Sequence, residues 1–374
     1  MKIGLFTTWL SQTAGGIENM CYNVFMYLRK THDVKAYSLL VDQRELLSED
    51  VFYASTSRRT VPFLQYIREY RNQNKKESFD VNIAMHVATG VVPLIIKLFY
   101  KTPYIVCVYA KEINYYETVI HRIIYTIVLR HALHIIAISH YTASLCDERL
   151  ANKISIIHPG LNEKIVLEAG NVSSYENNKA EVNLFTIGRL VKRKGVDTTI
   201  FAVKELINAG YNVRYTIAGD GEYADELKKL VASLYLSENI IFLGRISEEE
   251  KSKRFSECDI FVMPSYEIPE DNEIEGFGIV YIEANAFGKL VVAGNSGGIS
   301  DAVKNDITGY MVDGTNPNAV KNAIVEYLSK TDDEKHKLYH ECKSWAMEHD
   351  WAKLINKWHK AIGKTNDLSA TELK

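Results

Sequence analysis

A run of basic residues follows a short apolar segment near the middle of the chain, where the sequence reads IGRLVKRKG from Ile187 to Gly195. Arg189 and Lys194 lie between Gly188, where a strand is predicted to end, and a helix predicted after Gly195. Guanidinium and ammonium groups neutralise phosphate, and so do the N–H groups at the start of a helix. The pattern therefore predicts a diphosphate site, although a solvated basic loop has the same composition.

Two glutamates stand eight positions apart in the downstream segment IEGFGIVYIEA, which runs from Ile274 to Ala284. Glu275 precedes a predicted helix, and we expect it to meet sugar hydroxyls. Glu283 lies about one turn inside that helix, in an apolar run where an unpaired carboxylate is costly, so we expect it to bind ribose hydroxyls. Both also have a purely structural interpretation, as a favourable charge near a helix start and as a solvated helix residue.

The first turn of this helix leaves N–H groups without helical partners, and glycine there lets a ligand approach the backbone closely. The residues predicted to offer N–H groups to a phosphate are Phe277, Gly278, Ile279 and Val280. Two weaker signals are glycine-rich turns at the start of a helix. Asp220 and Gly221 belong to one of them (AGDGE), and Gly15 and Gly16 belong to the other (AGGIE).

Short apolar runs alternate with helical patterns along the chain, which is typical of parallel sheets with crossover helices. The predicted strands are Lys2–Thr8, Val34–Val41, Val81–His86, Tyr104–Tyr109, His134–Ile138 and Ile154–Ile157, then Val182–Ile187, Val213–Ala218, Ile240–Leu243, Ile260–Pro264, Leu290–Ala293 and Tyr310–Val312. We predict an α/β protein with two doubly wound, Rossmann-like domains that face each other across a cleft, where the carboxyl ends of the strands bind ligands.

A polar segment between the two series of strands, NVSSYENNK, predicts a linker. The expected limits are 1–170 for an N-terminal, acceptor-side domain, 171–180 for the linker, 181–345 for a nucleotide-binding domain, and 346–374 for a helix and tail that we expect to return to the N-terminal domain.

The composition excludes several classes of protein. A net charge of -3 lacks the basic excess that is typical of nucleic-acid-binding proteins. The five cysteines are dispersed and form no CxxC pair, which argues against disulfides or a zinc site. The first strand is not followed by a GxGxxG fingerprint, which argues against a dehydrogenase. The N-terminal MKIGLFTTWL does not read as a signal peptide and no apolar stretch is long enough to span a membrane, so we expect a cytoplasmic protein.

The segments GRLVKRKG, AGDGE, FLG and EGFGIVYIEA, in this order and spacing, resemble the retaining glycosyltransferases of family 4, which have the GT-B fold. The resemblance is strong over residues 180–315 and looser in the first half. It implies that Arg189 and Lys194 bind the diphosphate of a nucleotide-sugar donor. It also implies that Glu275 and Glu283 form the E-x7-E pair of the family, without a metal or another cofactor.

Two further positions follow from the resemblance. The turn after FLG, at Arg245 and Ile246, corresponds to the base-contacting turn of the family. Many members carry a histidine in an HG-x-E motif after the fourth strand, and here Tyr109 stands in its place. Tyr109 is therefore expected either to donate a hydrogen bond near the sugar or to be a buried structural residue.

The segments EGFGIVYIEA and AGNSGGISDAV resemble bacterial mannosyltransferases of the phosphatidylinositol-mannoside kind, which implies GDP-mannose as donor. Branches that use UDP-sugars such as UDP-glucose or UDP-N-acetylglucosamine share most of these residues. The implied reaction is hexose transfer with retention to a glycolipid or saccharide acceptor, in an envelope polysaccharide or lipopolysaccharide pathway. A nucleotide-sugar epimerase of the same fold and a non-catalytic sugar-binding protein are the alternatives.

The acceptor is expected to lie against the N-terminal domain. The stretch from Arg58 to Lys76 predicts an amphipathic helix suited to an anionic membrane surface, or a crossover helix whose apolar side packs on the sheet. Its basic residues are Arg58, Arg59, Arg68, Arg71, Lys75 and Lys76.

Overall fold

The structure is a computed structural model of the 374-residue chain and describes residues 1–11, 15–41, 50–53, 62–114, 118–171, 181–271 and 273–369. The chain divides into two compact units, which are described separately below. The first comprises Met1–Gly160 with Trp351–Lys374, and the second comprises Leu161–Asp350. Residues 172–180 of the expected linker lie outside the described residues, and the helix Glu163–Gly170 belongs to the second unit.

A parallel sheet forms the centre of the first unit. Its strands are β1 (Lys2–Leu10), β2 (Asp33–Val41), β3 (Val51–Tyr53), β4 (Val81–Ala84), β5 (Tyr104–Val108), β6 (His134–Ala137) and β7 (Ile154–Ile156). Its helices are α1 (Gly16–Leu28), α2 (Pro62–Lys76), α3 (Val91–Tyr100), α4 (Ala110–Asn114), α5 (Val119–His131) and α6 (His140–Ser144). The strand order is β3-β2-β1-β4-β5-β6-β7. Strands β4, β5 and β6 are buried along their whole length, as expected for a sheet covered by helices on both faces.

The second unit repeats this architecture. Its strands are β8 (Val182–Ile187), β9 (Val213–Ala218), β10 (Ile240–Gly244), β11 (Ile260–Met263), β12 (Leu290–Gly294) and β13 (Gly309–Val312), in the parallel order β10-β9-β8-β11-β12-β13. Its helices are α7 (Glu163–Gly170), α8 (Val196–Asn208), α9 (Ala224–Ser233), α10 (Glu248–Glu257), α11 (Ile279–Ala286), α12 (Ile299–Ala302), α13 (Pro317–Leu328) and α14 (Asp332–Met347). The strand order reverses beside β8, which places the ends of β8 and β11 at the switch point.

The last helix, α15 (Trp351–Ser369), belongs to the first unit. Trp351 and Trp358 are fully buried, and the ring centroid of Trp351 lies 5.9 Å from that of Tyr27 on α1. Burying two indoles removes a large apolar surface from water, so these residues fix the helix in place. The expected return of a C-terminal helix to the first half of the chain is confirmed.

The predicted strands of both series are present, so the α/β fold with two doubly wound units is confirmed. The edge strand β3 was not predicted, because three residues are too short for a periodic signal. None of the described helices combines the length and apolar character needed to cross a bilayer.

The packing of helix α2 favours the crossover-helix interpretation over the membrane-facing one. It begins at Pro62, and Arg58 and Arg59 lie outside the described residues. Tyr66 and Tyr70 are 1% and 0% exposed because they pack with Phe6 and other aromatic residues of the sheet. The apolar side of α2 is thus used inside the unit, and the crossover-helix interpretation is correct for the described part.

Candidate functional site

A compact ion cluster follows β8 in the second unit. The backbone tightens into a short 3₁₀ turn at Lys192–Lys194, and the side chain of Lys194 is 9% exposed. The Nζ atom of Lys194 donates a hydrogen bond to Oε2 of Glu275 at 2.5 Å, and Nη1 of Arg193 donates to the same oxygen at 2.8 Å. The structure therefore brings together two residues of the predicted site that stand 81 positions apart in sequence.

Burial and the charge of the partner shift the pKa of both Glu275 and Lys194. Burial works to raise the pKa of the Glu275 carboxyl, but the charges of Lys194 and Arg193 outweigh it and lower the pKa to about 2. Burial lowers the pKa of Lys194, and Glu275 offsets that effect only in part. Near neutral pH Glu275 is an anion that holds two cations in fixed positions.

Arg189 and Glu273 extend the cluster toward solvent. The side chain of Arg189 is 61% exposed and its Nη2 lies 3.6 Å from Oε1 of Glu273, whose other oxygen lies 3.4 Å from Nε of Arg193. The cluster thus contains three cations and two carboxylates, and its net charge is positive. A positive, partly buried cluster of fixed geometry suits the binding of an anionic ligand.

Helix α11 starts directly after this cluster. Gly278 precedes it with φ 88° and ψ 60°, a left-handed conformation in which an added Cβ would lie 2.4 Å from the ring of Tyr281. The N–H of Gly298 donates to the carbonyl oxygen of Glu275 at 2.9 Å, so the SGG segment fixes the backbone in front of the helix. Phe277 is buried at 2% exposure, while Ile279 and Val280 are half-buried.

Glu283 lies in the middle of α11 and is 7% exposed. Its Oε1 accepts a hydrogen bond from Nζ of Lys251 on α10 at 3.1 Å, and Lys251 also contacts Glu248 at 2.7 Å. The buried Oε2 of Glu283 has no hydrogen-bond partner among the described residues. Burial raises the pKa of Glu283, and Lys251 counteracts it. An enclosed carboxylate oxygen without a donor is costly, so Glu283 is a candidate to accept a further hydrogen bond.

Two glycine turns bring the ends of β8 and β9 into direct contact. Gly219 has φ 120°, and an added Cβ would collide with the carbonyl oxygen of Gly188. The same holds for Gly221 against the backbone of Leu190. Close backbone packing therefore requires glycine here and aligns both loops at one edge of the sheet.

Asp220 and Arg245 lie on the exposed side of this edge. The Nε atom of Arg245 lies 3.8 Å from Oδ2 of Asp220, and both side chains are mostly exposed. Ile246 is half-buried next to Arg245, just before Ser247 caps α10 by accepting a hydrogen bond from the N–H of Glu250. The structure thus places the expected base-contacting turn one helical turn from Lys251, the partner of Glu283.

The remaining predicted residues lie in the first unit. Gly15 and Gly16 are exposed at the start of α1. Tyr109 is 4% exposed, and its hydroxyl lies 3.9 Å from the sulfur of Met20. Burial raises its pKa well above the ordinary value. The expected role of Tyr109 as a hydrogen-bond donor to a sugar does not fit this enclosure, and its structural interpretation does.

A histidine beside Tyr109 has the exposure that Tyr109 lacks. Nδ1 of His86, which follows β4, lies 2.6 Å from Oε2 of Glu112, and the side chain is 22% exposed. The other oxygen of Glu112 accepts a hydrogen bond from the N–H of Tyr109 at 3.0 Å. Burial works to lower the pKa of His86, but the charge of Glu112 outweighs it and raises the pKa.

Several residues of these clusters were not singled out from the sequence, namely His86, Glu112, Arg193, Lys251 and Glu273. Arg193 and Glu273 stand inside the predicted motifs, so their charge was a usable signal. The sequence around Lys251 and His86 does not mark them as site residues, because the residues they contact, Glu283 and Glu112, are 32 and 26 positions away.

Two protein-family models match the chain, one in each half. Residues 171–346 match the family model "Glycosyl transferases group 1", and residues 14–164 match "Glycosyltransferase Family 4". The two models together span most of the chain, and the chain belongs to the family-4 glycosyltransferases of GT-B fold.

Two mannosyltransferases are similar to this chain over part of its length. The GDP-mannose-dependent alpha-(1-6)-phosphatidylinositol monomannoside mannosyltransferase of Mycolicibacterium smegmatis is 37% identical over 143 residues, which are 38% of this chain and 37% of the relative. A GDP-mannose-dependent monoacylated alpha-(1-6)-phosphatidylinositol monomannoside mannosyltransferase of Corynebacterium glutamicum is 36% identical over 37% of this chain and 36% of the relative. These matches therefore span little more than a third of either relative.

A solved structure matches over nearly the whole chain. Anabaena HepE in complex with UDP superposes with a TM-score of 0.78 at 17% identity, covering 97% of this chain and 100% of HepE. At this identity the likeness concerns the fold alone.

Proposed function

We propose that the protein transfers a hexose, with retention of the anomeric configuration, from a nucleotide-sugar to a glycolipid or polysaccharide-precursor acceptor. The observation that carries the proposal is the pair of clusters in the second unit. One is a positive group around Lys194 and Glu275, and the other is Glu283, whose Oε2 accepts no hydrogen bond from any described residue. A nucleoside diphosphate carries the complementary groups, namely anionic phosphates and ribose hydroxyls.

Mannose from GDP-mannose is the donor we favour. The support is the identity with two GDP-mannose-dependent mannosyltransferases over more than a third of the chain. A UDP-sugar is the second candidate, because HepE of the same fold was solved with UDP.

The chemistry proposed for the second unit needs no protein nucleophile. The acceptor oxygen forms a bond to the anomeric carbon on the face from which the diphosphate leaves, and a diphosphate oxygen takes the acceptor proton. Arg189, Arg193 and Lys194 stabilise the negative charge that grows on the leaving group. Glu275 orients the cations and meets sugar hydroxyls, and no metal is required.

On the first unit we propose His86 in place of Tyr109 as the polar contact of the sugar or the acceptor. Glu112 fixes one ring nitrogen, which leaves Nε2 of the partly exposed imidazole for a ligand. Such a carboxylate partner sets the orientation and the protonation of a histidine.

The experiment incubates the purified chain with GDP-mannose, UDP-glucose, UDP-N-acetylglucosamine and an ADP-sugar, and records donor hydrolysis and the shift of the unfolding temperature. We expect hydrolysis and stabilisation with one base only. Release of free nucleotide with an α-configured sugar product, observed by NMR, supports retention. Conversion of a nucleotide-sugar into its epimer without release of nucleotide would instead establish an epimerase, and binding without turnover would establish a sugar-binding protein.

A further inference from the structure

Helix α5 presents apolar side chains on two sides. On the inner side, Val128 and Leu129 are 0% and 5% exposed and pack in the core of the first unit. The outer side carries four exposed aliphatic side chains: Val119 (73%), Ile120 (66%), Ile123 (54%) and Ile127 (41%). Positions 120, 123 and 127 follow helical spacing, so they form one stripe along the helix.

This stripe is held in place by the fold. The hydroxyl of Thr118 caps α5 by accepting a hydrogen bond from the N–H of His121 at 3.2 Å. The opposite face of the helix is anchored in the core. Single exposed aliphatic residues are ordinary on a protein surface, but four on one ordered helix mark a contact surface.

The charged side chains of α5 itself are both basic, namely Arg122 and Arg130. From Thr118 to Cys146 the sequence contains no aspartate or glutamate, and the exposed Arg122 lies within the stripe region. Glu117 comes just before this segment and lies outside the described residues, and Asp147, just after it, is paired with Arg149 and approached by Arg130 at 4.0 Å.

More cations gather at the carboxyl end of α5. Nζ of Lys97 donates to the carbonyl oxygen of His131 at 3.1 Å, and Nζ of Lys153 donates to that of Arg130 at 3.0 Å. Two exposed apolar residues accompany Lys97 in the last turn of α3, namely Leu98 (66%) and Phe99 (76%). Apolar side chains rimmed by cations are complementary to acyl chains under anionic headgroups.

We propose that the outer face of α5, with the end of α3, binds an anionic lipid bilayer surface. The surface named for this role from the sequence was α2, but among the large apolar residues described there only Leu64 is exposed, at 63%. The α5 surface needs no nucleotide-sugar. It relates to the proposed function only in that a glycolipid acceptor would be presented at a bilayer.

The test uses the full chain without donor and measures co-sedimentation with vesicles of phosphatidylcholine, with or without phosphatidylglycerol. We expect binding to the anionic vesicles at low salt, and a loss of at least about tenfold in Ile120→Glu/Ile123→Glu. Leu64→Glu on α2 is the matched control, with one exposed aliphatic residue replaced, and should stay within about twofold of the wild type. Raising the salt to about 1 M should release the protein, because the Debye length falls to about 3 Å.

Thermal unfolding shows whether each variant is folded, and Arg122→Glu serves as a milder second variant that should also weaken binding. No binding of the wild type to anionic vesicles at low salt would overturn the proposal. So would equal loss in Leu64→Glu, or a concentration-dependent dimer that Ile120→Glu/Ile123→Glu abolishes while vesicles remain unbound. Donor hydrolysis is measured separately, so an inactive but vesicle-binding protein refutes the proposed function and leaves this inference standing.

Discussion

Glu283 is held by Lys251 through one carboxylate oxygen at 3.1 Å, while its other oxygen is buried and has no hydrogen-bond partner in the part of the chain that the structure describes. Lysine and glutamate come from consecutive crossover helices, α10 and α11, on the same side of the sheet of the second unit. Lys251 therefore fixes the position of the Glu283 carboxylate and leaves Oε2 able to accept a hydrogen bond.

Glu283→Gln should weaken binding of the nucleoside diphosphate by about tenfold, because a hydrogen bond to a carboxylate contributes roughly 1.5–3 kcal/mol. Calorimetry with GDP and 2′-deoxy-GDP tests the ribose assignment directly. The wild type should prefer GDP, and the variant should have lost that preference. Glu248→Gln is the control, since Glu248 also contacts Lys251 but is more exposed. If the variant keeps the full preference for GDP, Glu283 does not meet the ribose.

Lys194→Ala should lower kcat by about 10²–10³, as expected when one stabilising group for developing charge is removed. The exposed neighbour Lys192 provides the control, and Lys192→Ala should retain activity within about twofold. Steady-state kinetics with the identified donor measures both variants. Activity of Lys194→Ala within a few-fold of the wild type would contradict the diphosphate assignment.

Stability at low pH should depend on Glu275. Its pKa is lowered from 4.5 to about 2, so the native state binds this proton less readily than the unfolded chain. The resulting stabilisation is fully present above about pH 4.5 and is lost as the pH falls toward 2, amounting to roughly 3 kcal/mol.

Glu275→Gln should therefore flatten the acid limb of the free energy of unfolding, measured by urea titration from pH 2 to 7. It should also lower stability at pH 7, because Lys194 and Arg193 lose a buried counter-charge. Glu273→Gln, at a more exposed pair, should cost less than about 1 kcal/mol. An unchanged acid limb in Glu275→Gln would show that another carboxyl controls it.

On the first unit, His86→Gln should reduce transfer to acceptor by about 10–100-fold while leaving nucleotide binding unchanged, because the loss concerns one charge-assisted hydrogen bond. Tyr109→Phe should retain transfer within about twofold, since the hydroxyl it loses is enclosed next to Met20. The reverse outcome, a silent His86→Gln and an inactive Tyr109→Phe, would restore Tyr109 as the ligand contact.

A chelator should leave transfer unchanged. Three protein cations belong to the cluster that we propose as the diphosphate site, so we expect them to stabilise the leaving group without a divalent ion. Initial rates with and without EDTA, followed by re-addition of Mg²⁺ or Mn²⁺, provide the measurement. Inactivation by EDTA that Mg²⁺ reverses would show that a metal shares this role.

The sequence by itself predicted the two doubly wound units, which the structure confirms, and the candidate residues of the second-unit site. Both rest on local signals: apolar runs of strand length, glycines at tight turns, and charged residues at fixed spacing around a strand end and a helix start. Arg189, Lys194, Glu275 and Glu283 were identified in this way, and the structure brings the first three into one ion cluster with Arg193 and Glu273.

Only the tertiary structure decided which partners these residues have and which surfaces remain exposed. The contacts between Lys251 and Glu283 and between His86 and Glu112 depend on how helices and strand ends pack, which no spacing in the sequence records. Apolar periodicity does not show which side chains are exposed either, because a helix with apolar residues on two sides has the same sequence pattern as a fully buried helix. Packing buried the hydroxyl of Tyr109 and the tyrosines of α2, and it left the outer stripe of α5 facing solvent.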